Sequence, residues 1–345
     1  MIILQILFYP FAMLYNLVTG IRNRMYDLGL RPSIKFDVPV VAVGNLTVGG
    51  TGKTPLTEYL IRLLAMDYKV ATLSRGYGRK TKGFRMADSS DNADTIGDEP
   101  FQMYQKFGSS TSVAVGEDRA FAIPNILQAH PETDVILMDD AYQHRSVSPY
   151  LNILLSDYHR PFYEDHLLPA GRLRESRNSA NRADVVVVTK CPSTLTDEAM
   201  IAIEKSIRVY VEKPVFFSRI RYRHPLAFPD HHKKISHEVV LLTGISNPKP
   251  LVLFVKQNFK LVKHFNFPDH HRYTISDLKA IVRYAEENPT VSILTTEKDK
   301  VKLAVSQFNQ LRSQLSLFYL PIELEFIKSG GNFDAIVLNS LRRAG

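Results

Sequence analysis

The feature that most constrains the fold is a glycine-rich turn between an apolar strand and a helix. Residues 40–43 are Val-Val-Ala-Val, which suits a buried parallel strand, and apolar residues recur at helical spacing over 56–64. Between them lies the segment 44–55, Gly-Asn-Leu-Thr-Val-Gly-Gly-Thr-Gly-Lys-Thr-Pro. In such a turn backbone N–H groups converge on an anion, and the helix N-terminus adds partial positive charge. The segment therefore predicts a phosphate-binding loop.

The side chains of this loop have separate predicted roles. Lys53 is expected to reach the outer phosphates of a nucleotide, and the Thr54 hydroxyl is expected to hold Mg²⁺. The pattern G-x-x-x-x-G-K-[ST] is not met at its first position, which is Thr47. A bare Gly-Lys-Thr also occurs in surface turns, so the prediction depends on the flanking strand and helix. The residues predicted to bind the nucleotide are Thr47, Gly49, Gly50, Thr51, Gly52, Lys53 and Thr54.

Composition narrows the class of protein and of partner. The chain has 345 residues, 45% apolar and 23% charged, so it is expected to fold and is long enough for two domains. With Cys191 as its one cysteine, it has neither a disulfide framework nor a thiolate zinc site. The net charge of +8 favours an anionic partner such as a nucleotide or an acidic lipid surface. Because no basic run is interleaved with aromatic residues, nucleic acid is not expected to bind.

The first twenty-odd residues suggest contact with a membrane surface. Residues 2–21 carry no charge, and Arg22, Arg24, Arg31 and Lys35 follow. The length just reaches a bilayer span, but the polar residues and the proline within it favour an interfacial helix with a basic flank. The alternative is a terminal helix packed on the protein's own core. We predict a membrane-associating segment over residues 1–30.

Alternating strand and helix patterns extend from residue 40 through most of the chain. They predict an α/β fold of the P-loop NTPase type, a parallel sheet with helices on both faces, plus a smaller second α/β domain. The larger domain is predicted over 31–225 and the smaller one over 226–328. A helix over 329–345 closes the chain and could return to the larger domain. Ligands of such sheets lie beyond the carboxyl ends of the strands.

Two pairs of acidic residues follow these elements. Asp139 and Asp140 end an apolar strand, where a phosphate-loop enzyme places its second Mg²⁺ anchor. The alternative for this pair is a solvated turn. Asp98 and Glu99 open a helix, where acids can simply stabilise the helix dipole, or one of them could accept a proton from an attacking hydroxyl. Spacing by itself leaves these alternatives open.

Basic residues and histidines provide further candidates. Arg119, Arg172 and Arg174 lie in or beside loops expected to face the nucleotide, although most loop arginines are merely solvated. The tetrapeptide Pro-Asp-His-His occurs at 229–232 and again at 268–271. Adjacent histidines on an extended chain point to opposite sides, so a zinc site is not expected. A single histidine of the second copy, oriented by its aspartate, is the more plausible contributor, and the first copy is interpreted as a linker.

Together these motifs resemble the lipid A 4′-kinase (tetraacyldisaccharide 4′-kinase) family. The match extends over nearly the whole chain and preserves the family's motif order. The seven matching segments are 44–55, 74–78, 97–100, 139–144, 168–175, 267–273 and 296–299. The resemblance implies ATP- and Mg²⁺-dependent phosphorylation of the 4′-hydroxyl of a tetraacylated disaccharide 1-phosphate, giving lipid IVA. It also implies a peripheral protein, expected to be a monomer, at the cytoplasmic face of a bacterial inner membrane.

The resemblance also implies roles for individual residues. Asp98 becomes the base and His270, from the second domain, its partner, while Asp139, Asp140 and Lys53 complete the catalytic centre. The implied metal-binding residues are Thr54, Asp139 and Glu99, and the implied substrate-binding residues are Arg119, Gln143, His144 and Arg174. The chain departs from the family at Ala141, Arg172 and Ser176, where glycine, proline and proline are usual. Arg174 is therefore preferred over Arg172 as a substrate contact.

Two alternatives belong to other functional classes. One is a nucleotide switch, such as a GTPase or a metal-delivery protein, because residues 185–190 superficially resemble a strand that leads into a guanine-reading motif. The following residues, Thr-Lys-Cys-Pro over 189–192, lack the aspartate that would pair with guanine. The other alternative is a kinase of a soluble small molecule, for which residues 1–30 would be dispensable.

Overall fold

The structure is a computed structural model that describes residues 2–229 and 234–342. Its strands are β1 (Val40–Asn45), β2 (Val70–Ser74), β3 (Arg85–Met86), β4 (Thr111–Val115), β5 (Val135–Met138), β6 (Leu151–Asp157), β7 (Val185–Thr189), β8 (Val215–Tyr222), β9 (Leu226–Ala227), β10 (Glu238–Thr243), β11 (Lys260–Asn266), β12 (Ser292–Thr296), β13 (Leu317–Leu320) and β14 (Ile322–Phe326). Its α-helices are α1 (Ile2–Asp27), α2 (Lys53–Leu64), α3 (Ala93–Ile96), α4 (Asp98–Phe107), α5 (Arg119–Ala129), α6 (Asp197–Arg208), α7 (Lys249–Asn258), α8 (Ile275–Glu287), α9 (Glu297–Leu303), α10 (Asn309–Arg312) and α11 (Gly330–Arg342).

The larger sheet has nine strands in the order β14-β8-β7-β6-β1-β5-β2-β4-β3. The seven strands from β8 to β4 run parallel, and the edge strands β14 and β3 are antiparallel to their neighbours. Strand β1, which leads into the glycine-rich turn, lies near the centre, and all six of its residues are buried. Burial on both faces explains why its first four residues are continuously apolar. The predicted parallel α/β fold is confirmed.

Helices cover both faces of this sheet. Val41 and Val43 pack with α2 and α11 on one face, whereas Val40 and Ala42 pack with α5 on the other. The alternation follows from the two-residue period of a strand. The C-terminal helix α11 buries Phe333 in the first of these layers, so the chain ends on the larger unit. Residues 343–345 of the predicted closing helix lie outside the described part.

The smaller unit is built on a second sheet, in the order β11-β10-β12-β13-β9, with β9 antiparallel to β13 and the other strands parallel. The sequence-based limit at residue 328 placed β14 in this unit. In the structure β14 instead pairs with β8 at the edge of the larger sheet. A proline at 321 separates β13 from β14, so the chain changes sheets within one residue. The smaller unit is thus inserted between two strands of the larger sheet.

Helix α1 lies against the larger unit while much of its apolar surface stays in solvent. Ala12 is buried, and the Tyr15 hydroxyl donates to the carbonyl of Arg174 at 2.9 Å. The side chains left exposed include Leu7, Tyr9, Phe11, Met13, Leu14, Leu17, Val18 and Ile21. Within the described residues, no helix has the length and apolarity needed to cross a membrane.

Candidate active site

The phosphate-binding loop joins β1 to α2, as predicted from its sequence. Gly49 and Gly52 adopt φ of +109° and +87°, a region that favours glycine, and α2 begins directly after Gly52. Thr47 instead forms an antiparallel bridge with Leu173, so this one residue of the loop is paired as in a strand. An extended residue needs no glycine, which explains why threonine occupies the first position of the motif.

Residues at the end of β7 hold the other half of this loop. The Thr189 hydroxyl donates to the carbonyl of Thr51 at 2.7 Å, and the Lys190 ammonium donates to the carbonyl of Gly50. Lys190 also pairs with Asp157 at 2.7 Å and adopts φ of +58°, which is uncommon for a residue with a Cβ. Sequence reasoning did not single out this pair as support for the loop. The pattern that could have predicted this support is the polar pair Thr189-Lys190 at the carboxyl end of an apolar strand.

Asp140 lies beside Lys53, at the carboxyl end of β5. The Lys53 ammonium is 3.4 Å from Asp140 Oδ1 and donates to Asn45 Oδ1 at 3.3 Å. Arg174 donates to both carboxylate oxygens of Asp140, at 3.0 and 3.2 Å. Burial acts to raise the pKa of Asp140, but Lys53 and Arg174 outweigh it and hold that pKa below its usual value. Asp140 is therefore an anion that orients two of the predicted site cations.

Asp139 has the opposite electrostatic environment. Burial, followed by the nearby charge of Glu99, raises the pKa of Asp139 to about 7, although Lys53 opposes the shift. In the described residues, no three acidic, histidine or cysteine side chains are close enough to enclose a metal ion by themselves. Mg²⁺ in phosphoryl transfer typically takes one or two carboxylates and completes its shell with phosphate oxygens and water. The oxygen donors of Asp139, Glu99 and Thr54 fit that pattern.

Three predicted substrate residues surround this pair of aspartates. Arg119 is fully buried; one of its guanidinium nitrogens donates to the carbonyl of Gly116, while burial lowers its pKa to about 10. Gln143 donates to the carbonyl of Asn45 at 3.0 Å and accepts from Arg174 at 3.3 Å. Burial, followed by the charge of Arg119, lowers the pKa of His144 to about 4, so its ring is neutral at neutral pH. Their roles toward substrate remain predictions.

Asp98 and His270 meet across the junction of the two units. Asp98 starts α4, and Nδ1 of His270 lies 3.5 Å from Asp98 Oδ2, while the Lys302 ammonium lies 3.8 Å from the same oxygen. Burial acts to raise the pKa of Asp98, but His270 and Lys302 lower it below the usual value. His270 adopts φ of +58° and its ring lies 5.5 Å from that of Tyr77. An ionised carboxylate with a histidine partner is suited to accept a proton.

Glycines hold the loop that precedes Asp98. Gly97 adopts φ of +95°, and a Cβ on it would lie 3.0 Å from the backbone carbon of Gly76 and from the carbonyl of Tyr77. Gly76 itself adopts φ of +71°. The two loops can pack this closely only because both positions lack a side chain.

The two adjacent histidines of the second Pro-Asp-His-His serve different environments. His271 stacks on Phe267 with ring centroids 4.3 Å apart, and its Nε2 lies 3.0 Å from an Asp277 oxygen in the first turn of α8. His271 therefore holds the smaller unit together, while His270 faces Asp98. In the first copy Pro229 is described, and residues 230–232, interpreted as a linker, lie outside the described part.

Fold and site together define a nucleotide-dependent phosphotransferase of the P-loop class. The model of the family described as tetraacyldisaccharide-1-P 4′-kinase matches residues 4–342, and the chain belongs to that family. A tetraacyldisaccharide 4′-kinase of Flavobacterium johnsoniae is 45% identical over 99% of this chain and 98% of its own. One from Phocaeicola vulgatus is 43% identical over 93% of this chain and 90% of its own.

A solved structure agrees with the fold. LpxK from Aquifex aeolicus, crystallised in complex with ATP, has a TM-score of 0.75 and is 27% identical over 98% of this chain and 99% of its own. The predicted fold class and family are thus confirmed, and the family's activity is phosphoryl transfer to an alcohol. The nucleotide switch considered from the sequence is not favoured.

Proposed function

We propose that this protein transfers the γ-phosphoryl group of ATP to the 4′-hydroxyl of tetraacyldisaccharide 1-phosphate, giving ADP and lipid IVA. The observation that carries the proposal is the 3.5 Å approach of His270, from the smaller unit, to Asp98, which opens a helix of the larger unit. Asp98 is followed by Glu99, whose charge acts on Asp139. The proposed proton acceptor Asp98, the predicted metal-binding residue Glu99 and the Asp139–Asp140 turn therefore belong to one site.

In the proposed reaction Asp98 accepts the proton of the 4′-hydroxyl as its oxygen bonds to the γ-phosphorus. The bond from that phosphorus to the β,γ-bridging oxygen breaks, and its electron pair leaves with ADP. Lys53 and Arg174 lie where they can offset the negative charge of the phosphates. Thr54, Asp139 and Glu99 would hold Mg²⁺, which would neutralise charge on the β- and γ-phosphate oxygens. Asp140 keeps Lys53 and Arg174 in place.

A lipid acceptor requires access from a membrane, and helix α1 supplies a suitable surface. Its exposed apolar residues include Leu14 and Leu17, which are 61% and 58% exposed. On its other side Arg22 donates to the carbonyl of Gln143 at 2.7 Å and lies 3.7 Å from Glu175. We propose that the protein binds the cytoplasmic face of the inner membrane through α1, as a monomer, and receives the acceptor beside these contacts.

The catalytic part is tested by following labelled phosphate from ATP into the disaccharide 1-phosphate with purified Asp98→Asn protein. We expect turnover to fall by about 10²–10⁴-fold, because a positioned base contributes that much, while ATP binding is retained. Asp88→Asn is the matched control, since Asp88 is exposed and its carboxylate accepts from Ser90. Normal turnover in Asp98→Asn would remove Asp98 from the mechanism. A preference for GTP over ATP would favour the nucleotide switch.

The membrane part is tested by flotation with anionic phospholipid vesicles. Replacing Leu14 and Leu17 together with glutamate should release the protein from the vesicles, because two apolar side chains are lost and two negative charges gained. Leu253→Glu is the control, since Leu253 is 62% exposed on α7 of the smaller unit. Equal flotation of the α1 variant and the control would contradict a role for α1 at the membrane.

A further inference from the structure

A lysine of the smaller unit contacts the side of the His270 ring that faces away from Asp98. The Lys298 ammonium lies 3.2 Å from His270 Nε2 and also 3.2 Å from Asp269 Oδ1. Its side chain is 21% exposed. The His270 ring is thus held between Lys298 at Nε2 and Asp98 at Nδ1, and only the second of these contacts enters the proposed reaction.

The chemistry of the ammonium determines which ring nitrogen carries the proton. A lysine ammonium has three N–H donors and no acceptor, so His270 Nε2 can bond to it only as an acceptor. A neutral imidazole carries one proton, which must then be on Nδ1. Nδ1 is the nitrogen that faces Asp98 Oδ2, so the N–H is directed at the carboxylate.

The alternative partner of Nε2 is Asp269, and the distances disfavour it. Asp269 Oδ2 is 3.9 Å from His270 Nε2, beyond hydrogen-bond distance, whereas the Lys298 ammonium is 0.7 Å closer at 3.2 Å. Asp269 instead accepts from the backbone N–H of His270 at 3.0 Å and from Lys298. The aspartate therefore orients the lysine and the turn, and the lysine contacts the ring.

We infer that Lys298 is a positioning residue that fixes the tautomer of His270, so that an N–H and not a lone pair faces Asp98. This inference rests on the proposed roles of Asp98 and His270. With the other tautomer, a lone pair of Nδ1 would face the Asp98 carboxylate. His270 could then not donate a hydrogen bond that orients and stabilises this carboxylate. Lys298 thereby acts on His270, the partner of the base, from 28 residues along the chain and does not contact the reacting atoms.

The lysines of helix α9 lie on two sides of the helix: Lys298 and Lys302 face His270 and Asp98, and Lys300 does not. Lys302 follows Lys298 by one turn and lies 3.8 Å from Asp98 Oδ2, so it acts on the carboxylate and not on the ring. Lys300 lies on a different side, with its ammonium 4.5 Å from the Tyr319 ring centroid and 5.5 Å from that of Phe228. Lys300 therefore offers the same residue type, on the same helix, without contact with the histidine.

The tautomer can be measured without turnover. Protein labelled with ¹⁵N in its histidine rings gives two-bond ¹⁵N–¹H correlations that distinguish a protonated from an unprotonated ring nitrogen. The His270 signals are assigned by their loss in His270→Asn. We expect wild type to show an Nδ1–H, Nε2-unprotonated ring, and Lys298→Met to show a gain of Nε2–H. Lys298→Arg, which also has donors and no acceptor, and Lys300→Met should both keep the wild-type pattern.

Kinetics then tie the tautomer to the reaction. Lys298→Met should lower kcat by about 10- to 100-fold with little change in the KM for ATP, and Lys298→Arg should restore most of the loss. An Nε2–H ring in the wild type would overturn the inference, and so would a Lys298→Met protein with wild-type spectrum or wild-type kcat. If the wild type fails to phosphorylate the lipid acceptor, the proposed function is lost, while the spectra still decide which tautomer Lys298 imposes.

Discussion

Lys106 offers a quantitative test of how the two units are joined. Its ammonium bridges Glu58 of α2, at 2.6 Å, and Glu297 of α9, at 2.9 Å. Lys106 is itself on α4, the helix that begins at Asp98. Three helices therefore meet at one ion triad: α2, which follows the phosphate-binding loop; α4, which begins with the proposed base; and α9, which carries Lys298. The side chains of Glu58 and Glu297 are 2% and 9% exposed, and that of Lys106 is 24% exposed.

Burial and charge pairing dominate at different members of this triad. Burial raises the pKa of Glu58 even though Lys106 and Arg62 oppose the shift. The pKa of Lys106 is also raised, because the two carboxylates outweigh the effect of burial. Desolvation dominates this balance, since Glu58 is the more deeply buried partner. The intact triad then adds little net stability, whereas removing Lys106 alone leaves two buried carboxylates without their shared cation.

We predict that Lys106→Met lowers the free energy of unfolding by about 2–3 kcal/mol. Breaking a buried pair typically costs about 3–5 kcal/mol, and the lower value allows for the partial exposure of Lys106 and for the bonds that Glu58 keeps with Gln102 and Arg62. The assay is urea unfolding at neutral pH, followed by fluorescence and circular dichroism. Adding Glu58→Gln to the same protein should recover part of the loss, because one unpaired charge is removed.

An exposed ion pair of similar length provides the control. Lys80 and Asp94 lie 2.7 Å apart with side chains 61% and 52% exposed, so Lys80→Met should cost less than about 1 kcal/mol. If Lys106→Met and Lys80→Met destabilise equally, burial does not decide the strength of these pairs and the reasoning is refuted. A Lys106→Met protein that is as stable as the wild type would refute it as well.

Three further outcomes follow from the site. Gly97→Ala should lower the free energy of unfolding in urea by about 2 kcal/mol and reduce turnover, because the added Cβ meets the backbone of residues 76 and 77. Gly83→Ala is the control: with φ of +79° and open space around it, it should cost about 1 kcal/mol and leave turnover intact. Thr189→Val should raise the KM for ATP by about fivefold with kcat nearly unchanged, because the loop loses one hydrogen bond at Thr51. The folded protein keeps His144 neutral, because its pKa falls from an ordinary value of about 6.5 to about 4 on folding. The stability that His144 contributes is therefore fully present above about pH 6.5 and is lost as the pH falls toward 4. The difference in unfolding free energy between the wild type and His144→Gln, measured by urea unfolding, should therefore fall by up to about 3 kcal/mol over that window. Taking the difference removes the opposite contribution of Asp139, whose pKa of about 7 makes stability rise toward pH 4.

Local signals in the sequence predicted the elements that depend on a few neighbouring residues. The apolar run of β1, the glycines of the turn and the helical spacing after them all lie within residues 40–64, so the phosphate-binding loop could be predicted directly. The alternation of strands and helices likewise predicted the parallel sheet. The sequence also predicted that His270 and His271 point in different directions, but from an extended chain. In the structure these residues lie in a turn in which His270 has φ of +58°, and that turn directs the two rings to different partners.

The tertiary structure decided how segments far apart in the chain meet. Thr189 supports the loop at Thr51 from 138 residues away, and Lys298 reaches His270 from a helix that the sequence marked only through a family motif. The return of β14 to the larger sheet depends on its fit beside β8, which no local pattern encodes. Residue types and periodicity determine what each segment can form; which segments come into contact depends on the packing and burial of the whole chain.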